Sequence, residues 1–264
     1  MDNNGEIKKA NRKALPKFIL ILVGSMIVGG LEGFFAAKYG LDALSDNLKA
    51  AGEFFGLRIA PWLMLALAII QPIACAPFYR KAKKLLAEWD GEDEEVSDAV
   101  DEVLSIIIWI TGTALIISFF LIAASYSGGF ATFDHEENTV PYFVSIAAFF
   151  GIMIEALIFQ QKSIDAAKKT NPEKTASIYD TKFHKKWIDS CDEAEKIMIG
   201  KCAFKAYSAT NAVCPMLAIL FALSALVFGT GFLPTLAVCV IWLVNHWVYC
   251  KEAFKYSKAG NIVL

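Results

Sequence analysis

The chain has 264 residues, 56% of them hydrophobic, and a formal net charge of −2. Its mean hydropathy of +0.47 leaves less polar surface than a soluble globule of this size requires. The near-neutral charge gives no electrostatic footprint for a nucleic-acid partner.

Lys8, Lys9, Arg12, Lys13 and Lys17 precede the first apolar run. That run is longer than the ~7–15-residue core of a signal peptide, carries Glu32 and lacks a small-x-small cleavage site, so it is expected to be an uncleaved first helix over 18–37. Ser25, Gly29, Gly33 and Ala37 recur every four residues on it, a small-residue stripe of the kind that packs helix against helix, with Glu32 on its flank. At ~1.5 Å per residue, Glu32 falls about 20 Å along the helix, near the outer boundary. In the next segment Leu41, Leu44, Leu48, Ala51 and Phe55 are spaced three or four apart among polar residues. This predicts an amphipathic helix lying in the outer interface or against the bundle mouth.

The second membrane helix is predicted over 60–79, with Pro72 and Pro77 in its inner half, where neighbouring helices must cover the carbonyls that the prolines free. The loop 80–102 begins with Arg80, Lys81, Lys83 and Lys84 and ends in the acidic block 90–101, whose carboxylates suit the positive end of a helix leading into helix three, 103–125. The outer loop 126–140 carries Asp134, His135, Glu136 and Glu137 and is expected to be solvated. Helix four, 141–160, aligns Ala147, Gly151 and Glu155 at four-residue steps, placing the carboxylate on a small, packing face.

The second cytoplasmic connection, 161–205, is too short for a core of its own. Asn171-Pro172-Glu173 predicts a helix start with proline at the first position. Ser190-Cys191-Asp192-Glu193 matches a capping box in which Ser190 takes one orphan amide and Glu193 reaches back to another. Helices five, 206–228, and six, 232–250, follow, separated by a tight turn.

Of the 25 basic residues, 22 fall in the N-terminus, the loops 80–102 and 161–205, and the tail after 250; only Lys38, Lys49 and Arg58 fall on the other side. The expected architecture is therefore an all-α, single-domain membrane protein with six transmembrane helices, both termini cytoplasmic, and helical extensions of helices two to five into the cytoplasm. None of the six cysteines falls in an outer loop and no pair has C-x-x-C spacing, which argues against a disulfide framework or a thiolate zinc site. The stretches Trp89–Glu95 and Trp187–Glu195 are alike, as in transporters built from repeated hairpins, although shared capping chemistry explains the likeness equally well.

Asn171-Pro172-Glu173-Lys174, Ser177-Ile178-Tyr179-Asp180-Thr181-Lys182-Phe183, Lys185-Lys186-Trp187 and Ser190 through Lys196, together with the Trp89–Glu95 block, carry a resemblance to a known family. The chain resembles six-helix integral membrane proteins of Firmicutes known only as a domain of unknown function. The resemblance spans the whole chain in length and helix order, and implies the plasma membrane of a low-GC Gram-positive bacterium. It implies no catalytic or binding residues.

Polar groups inside the membrane remain. Gln71, Thr111, Glu155, Asn211, Asn245 and His246 all lie within about three turns of the cytoplasmic ends of their helices, forming a polar layer whose ionisable members are Glu155 and His246. Interhelical hydrogen bonding is the plain reading of this layer; a proton, cation or ligand site is the sharper one. The chain has no Lys-Ser or Lys-Thr phosphate loop, no G-x-S-x-G and no H-E-x-x-H, so no catalytic residue, cofactor or metal is expected. The leading expectation is a non-enzymatic membrane component, regulatory, immunity-like or complex-forming, that binds membrane or cytoplasmic protein partners through loops 80–102 and 161–205. The rival is a small transporter or channel that uses the polar layer as a homo-oligomer.

Overall fold

The computed structural model describes residues 42–126, 136–174, 176–228 and 230–259, with scattered positions between 16 and 34; for 42–45, 226–228 and 254–259 the backbone alone is described. The predicted first helix falls largely outside these residues, and Glu32 entirely so. Every regular element described is helical: α1 (Asp42–Phe54), a π-helical segment (Phe55–Ile59), α2 (Ala60–Glu88), α3 (Glu94–Ser125), α4 (Glu136–Thr170), α5 (Phe183–Asp189), α6 (Glu193–Phe228) and α7 (Leu233–Ala259). Among the described residues, five helical stretches, 46–88, 94–125, 136–170, 193–225 and 233–253, are long and apolar enough to cross a membrane.

The amphipathic segment is a helix, but it is not detached from the next one. It runs through the π-helical segment into α2 without a break. Pro61 stands in the first turn of α2, and the Ala60 N–H donates to the Phe55 carbonyl. Proline has no N–H to continue the ladder, so the turn ahead of it widens to five-residue bonding and the helix carries on. Pro72 and Pro77 likewise leave α2 helical.

The helices extend beyond the predicted apolar cores. α3 begins at Glu94 because Asp93 caps it, its Oδ1 accepting from the Glu95 N–H at 3.0 Å and the Val96 N–H at 3.2 Å. Gly91 precedes that cap at φ +100°, a conformation that favours glycine. α4 begins at Glu136 instead of 141, so the two glutamates expected in a solvated loop open a helix, and Glu137 accepts from Arg58 at 2.6 Å.

Two expected helix starts need correction. Asn171-Pro172-Glu173 ends a helix rather than beginning one. The Asn171 side chain donates to the Ala167 carbonyl at 3.3 Å, and the Lys174 N–H closes a turn onto the Asn171 carbonyl at 3.1 Å. Proline disfavours the helical region for the residue before it, which stops α4 here. The capping box exists, but two residues later: Asp192 Oδ1 accepts from the Glu195 N–H at 2.7 Å, and Glu195 Oε2 accepts from the Asp192 N–H at 2.9 Å. Ser190 Oγ instead donates to the Trp187 carbonyl at 2.8 Å.

The molecule divides into two units, 48–202 and 1–47 with 203–264. In the first, α2, α3 and α4 pack together. The buried residues of α3, Val100, Val103, Leu104, Ile107, Thr111, Ala114, Ser118, Leu121, Ile122 and Ser125, fall mostly three or four apart, which makes one seam. One end of the core joins Cys75, Ala82, Val103 and Ile107 with Ala166 and Ala167; the other joins Ala60 and Met64 with Ala114, Leu121, Ala148 and Ile152. On the opposite face of α3, Trp109 and Ile116 are each 73% exposed. That outward display of large apolar side chains suits hydrocarbon as the solvent.

In the second unit, Tyr207 and Tyr249 stack at 4.3 Å between ring centroids, and Trp242 Nε1 donates to Asn211 Oδ1 at 2.8 Å. Positions rising on α6 meet positions falling on α7, so the two helices run antiparallel.

Candidate functional site

The expected intramembrane residues divide between the two units. In 48–202, Gln71 is buried between α2 and α4 and its Nε2 donates to the Ile152 carbonyl at 3.5 Å. Thr111 is fully buried and accepts from Gln160 Nε2 at 3.2 Å, joining α3 to α4. Glu155, one turn beyond Ile152, lies near Cys75 of α2. Glu155 Oε2 and Gln71 Oε1 are both buried acceptors without a hydrogen-bond donor. Such atoms in a dry bundle are costly unless a proton, a water or a cation meets them.

In the other unit, Asn211 is engaged by Trp242, while Asn245 Nδ2 is buried without an acceptor. His246 is exposed, 3.6 Å from Cys250 Sγ, and with Cys239, Trp242 and Leu243 lines a shallow apolar hollow. The layer read from sequence is thus divided between the units, Gln71, Thr111 and Glu155 in one and Asn211, Asn245 and His246 in the other.

A second centre lies where the turn that ends α4 meets the start of α6, outside the apolar cores at 141–160 and 206–228. Lys174 follows the turn that ends α4, yet it is only 3% exposed. Its Nζ donates to Glu195 Oε2 at 2.5 Å and to Cys191 Sγ at 3.4 Å, and stands 5.5 Å from the centre of the Trp187 ring. Burial opposes the lysine charge most strongly of any single cause, but the bond and charge of Glu195 together with the contact to Cys191 outweigh it and hold the ammonium above its ordinary value. Burial pushes the Glu195 carboxyl up, but the bond and charge of Lys174 together with the Asp192 N–H hold it below the usual carboxylate value. Glu195 therefore serves twice, as capping partner of Asp192 and as counterion of Lys174.

The rest of the connection is pinned as firmly. Gln161 Oε1 accepts from Ser177 Oγ at 3.1 Å and from the Ile178 N–H at 3.0 Å, Ala176 is fully buried, and Trp187 packs against the core near Ala166. Asp180 accepts from the Lys182 N–H at 2.9 Å and pairs with Lys186. Tyr179 and Ile188 are left facing outward, 69% and 43% exposed.

Beside the Lys174 cluster is a cavity of about 230 Å³. Asp101, Ser105 and Asn171 are among its polar lining residues, and Ile108, Ile164 and Met198 among its apolar ones. Burial pushes the Asp101 carboxyl up, and Glu195 and Asp98 add to that, against a hydrogen bond from Asn171 and the charge of Lys174. None of these residues was marked as a site by intramembrane polarity. The signal available was the family-like run from Asn171 to Glu195, which proves to be the segment that builds the cluster.

A family model described as a protein of unknown function (DUF3169) matches residues 12–253. No curated protein and no solved structure matches the chain.

Proposed function

The chain belongs to the DUF3169 family of proteins of unknown function, and within it we propose a six-pass component of a bacterial plasma membrane, of Firmicutes type, that works by binding other proteins at its cytoplasmic face. On this reading the first helix completes the five described spans, both termini are cytoplasmic, and the protein performs no catalysis. The basic residues concentrated before 18, in 80–102, in 161–205 and after 250 support that orientation. The observation that carries partner binding is the fixed shape of 171–195: buried Lys174 ties the segment to α6, and Tyr179 and Ile188 project from it without packing into the core. A surface held rigid in advance loses little freedom on binding.

A photoreactive benzoylphenylalanine in place of Tyr179 should yield a discrete protein adduct on irradiation of native membranes. The same residue in place of Trp109, on the lipid-suited face of α3, should not. No adduct at Tyr179, or the same adduct at both positions, would overturn the reading.

One observation favours a second reading, transport by a homo-oligomer. Glu155 Oε2 and Gln71 Oε1 are buried acceptors awaiting a donor or cation, and intramembrane carboxylates commonly mark ion or proton paths.

A further inference from the structure

The cavity beside Lys174 combines three features seldom found together at a purely structural ion pair. It is a partly open hollow lined by three helices and the 171–191 connection, with Asp101, Leu104 and Ser105 from α3, Ser163 and Ala167 from α4, and Met198 from α6. Its charges do not balance. Lys174 is committed to Glu195 at 2.5 Å, so the cation and one carboxylate cancel, and Asp101 remains as a half-buried carboxylate with no cation bonded to it among the described residues. Ile108 and Ile164, two helical turns from Asp101 and Asn171, with Met198 and Ile199 of α6, add apolar and thioether surface.

An occupant must therefore present a cationic donor at one end and a hydrocarbon body at the other. A metal ion fits poorly: Cys191 Sγ and Glu195 Oε2 already accept from Lys174, and no group of three metal-ligating side chains converges among the described residues. An anion would meet the unbalanced Asp101. The volume lies below the ~300–1,000 Å³ usual for drug-sized ligands, which restricts the occupant to a small molecule.

We propose that this cavity binds a small amphipathic organic amine, its ammonium group held by Asp101 with Ser105 and Asn171, and its apolar body against Ile108, Ile164 and Met198. The bound amine supplies the counterion that Asp101 lacks. It also bridges α3 to the connection that carries Tyr179, so its presence is expected to stiffen that surface. The inference goes beyond partner binding and stands apart from it, because the amine site can fail while the Tyr179 adduct forms, and the reverse.

The test uses the full-length protein in nanodiscs, with empty nanodiscs subtracted, and isothermal titration of three probes of similar shape: phenethylamine, 2-phenylethanol and 3-phenylpropanoate. The amine should bind saturably at one per chain, about tenfold or more tighter than the alcohol, as a charge-assisted hydrogen bond requires. The carboxylate should bind most weakly. Asp101→Asn, which keeps shape and removes charge, should bring the amine to the affinity of the alcohol. Ser105→Leu, which fills the polar end, should weaken the amine in the same direction and serves if Asp101→Asn is poorly folded. Amine binding no tighter than alcohol binding in the parent protein, or unchanged in well-folded Asp101→Asn, overturns the proposal.

Discussion

Glu155 and Gln71 show how a residue read from sequence acquires its chemistry only from its neighbours. The four-residue register with Gly151 and Ala147 predicts a packed small face, but Ala147 is exposed and a side chain at Gly151 would meet nothing. Glu155 instead flanks the buried row Ala148, Ile152 and Ala156, near Cys75 and one turn from the carbonyl that Gln71 engages. What the sequence cannot state is that both side chains keep an acceptor oxygen without a donor. If Glu155 is structural glue, Glu155→Gln keeps its shape and removes the charge from a buried site, and the variant should melt in detergent at the parent temperature or above it. A lower melting temperature contradicts that role. Lys174 is the opposite case. A lysine two residues after a proline turn looks like ordinary loop polarity, and its burial depends on Glu195, twenty-one positions away, a pairing that no local pattern encodes.

At the scale of elements, the apolar cores of the helices were legible and their ends were not. Hydropathy marks the part of a helix that suits lipid, whereas the end is decided by caps. Asp93 sets the start of α3 and the Asn171-Pro172 turn sets the end of α4. At α6 the sequence holds two overlapping boxes, Ser190 with Glu193 and Asp192 with Glu195, equally good by local chemistry. The Trp187 carbonyl occupies the Ser190 hydroxyl and Lys174 draws Glu195 into place, so the second box forms. Asp192→Ala should accordingly destabilise the start of α6 by about 0.5–2 kcal/mol, visible as faster amide exchange across 192–197, while Ser190→Ala should leave that exchange nearly unchanged. Equal effects of the two substitutions would return the cap to Ser190. The π-helical segment was also out of reach, because proline signals a break in sequence but tolerates a widened turn when the helix on either side is favoured by packing, as at Ala60 and Met64.

For the whole molecule, the composition and the apolar runs foretold an all-helical membrane protein, and five described spans agree with that class. The contents of the connection 171–191 were foretold only as a patch of family-like residues, since its fold rests on side chains distant in sequence, Lys174 with Glu195 and Ser177 with Gln161. Orientation is the claim on which the rest depends: if the Lys174 cluster and the surface bearing Tyr179 do not face the cytoplasm, neither the partner-binding reading nor the choice of basic side stands. Single cysteines at Val140, Thr230 and Tyr179, all exposed, can be introduced into a version with the exposed Cys202 and Cys239 replaced. With a membrane-impermeant thiol reagent, Val140→Cys and Thr230→Cys should label in intact cells and Tyr179→Cys only after lysis. Labelling of Tyr179→Cys in intact cells, with Val140→Cys and Thr230→Cys protected, would contradict the account.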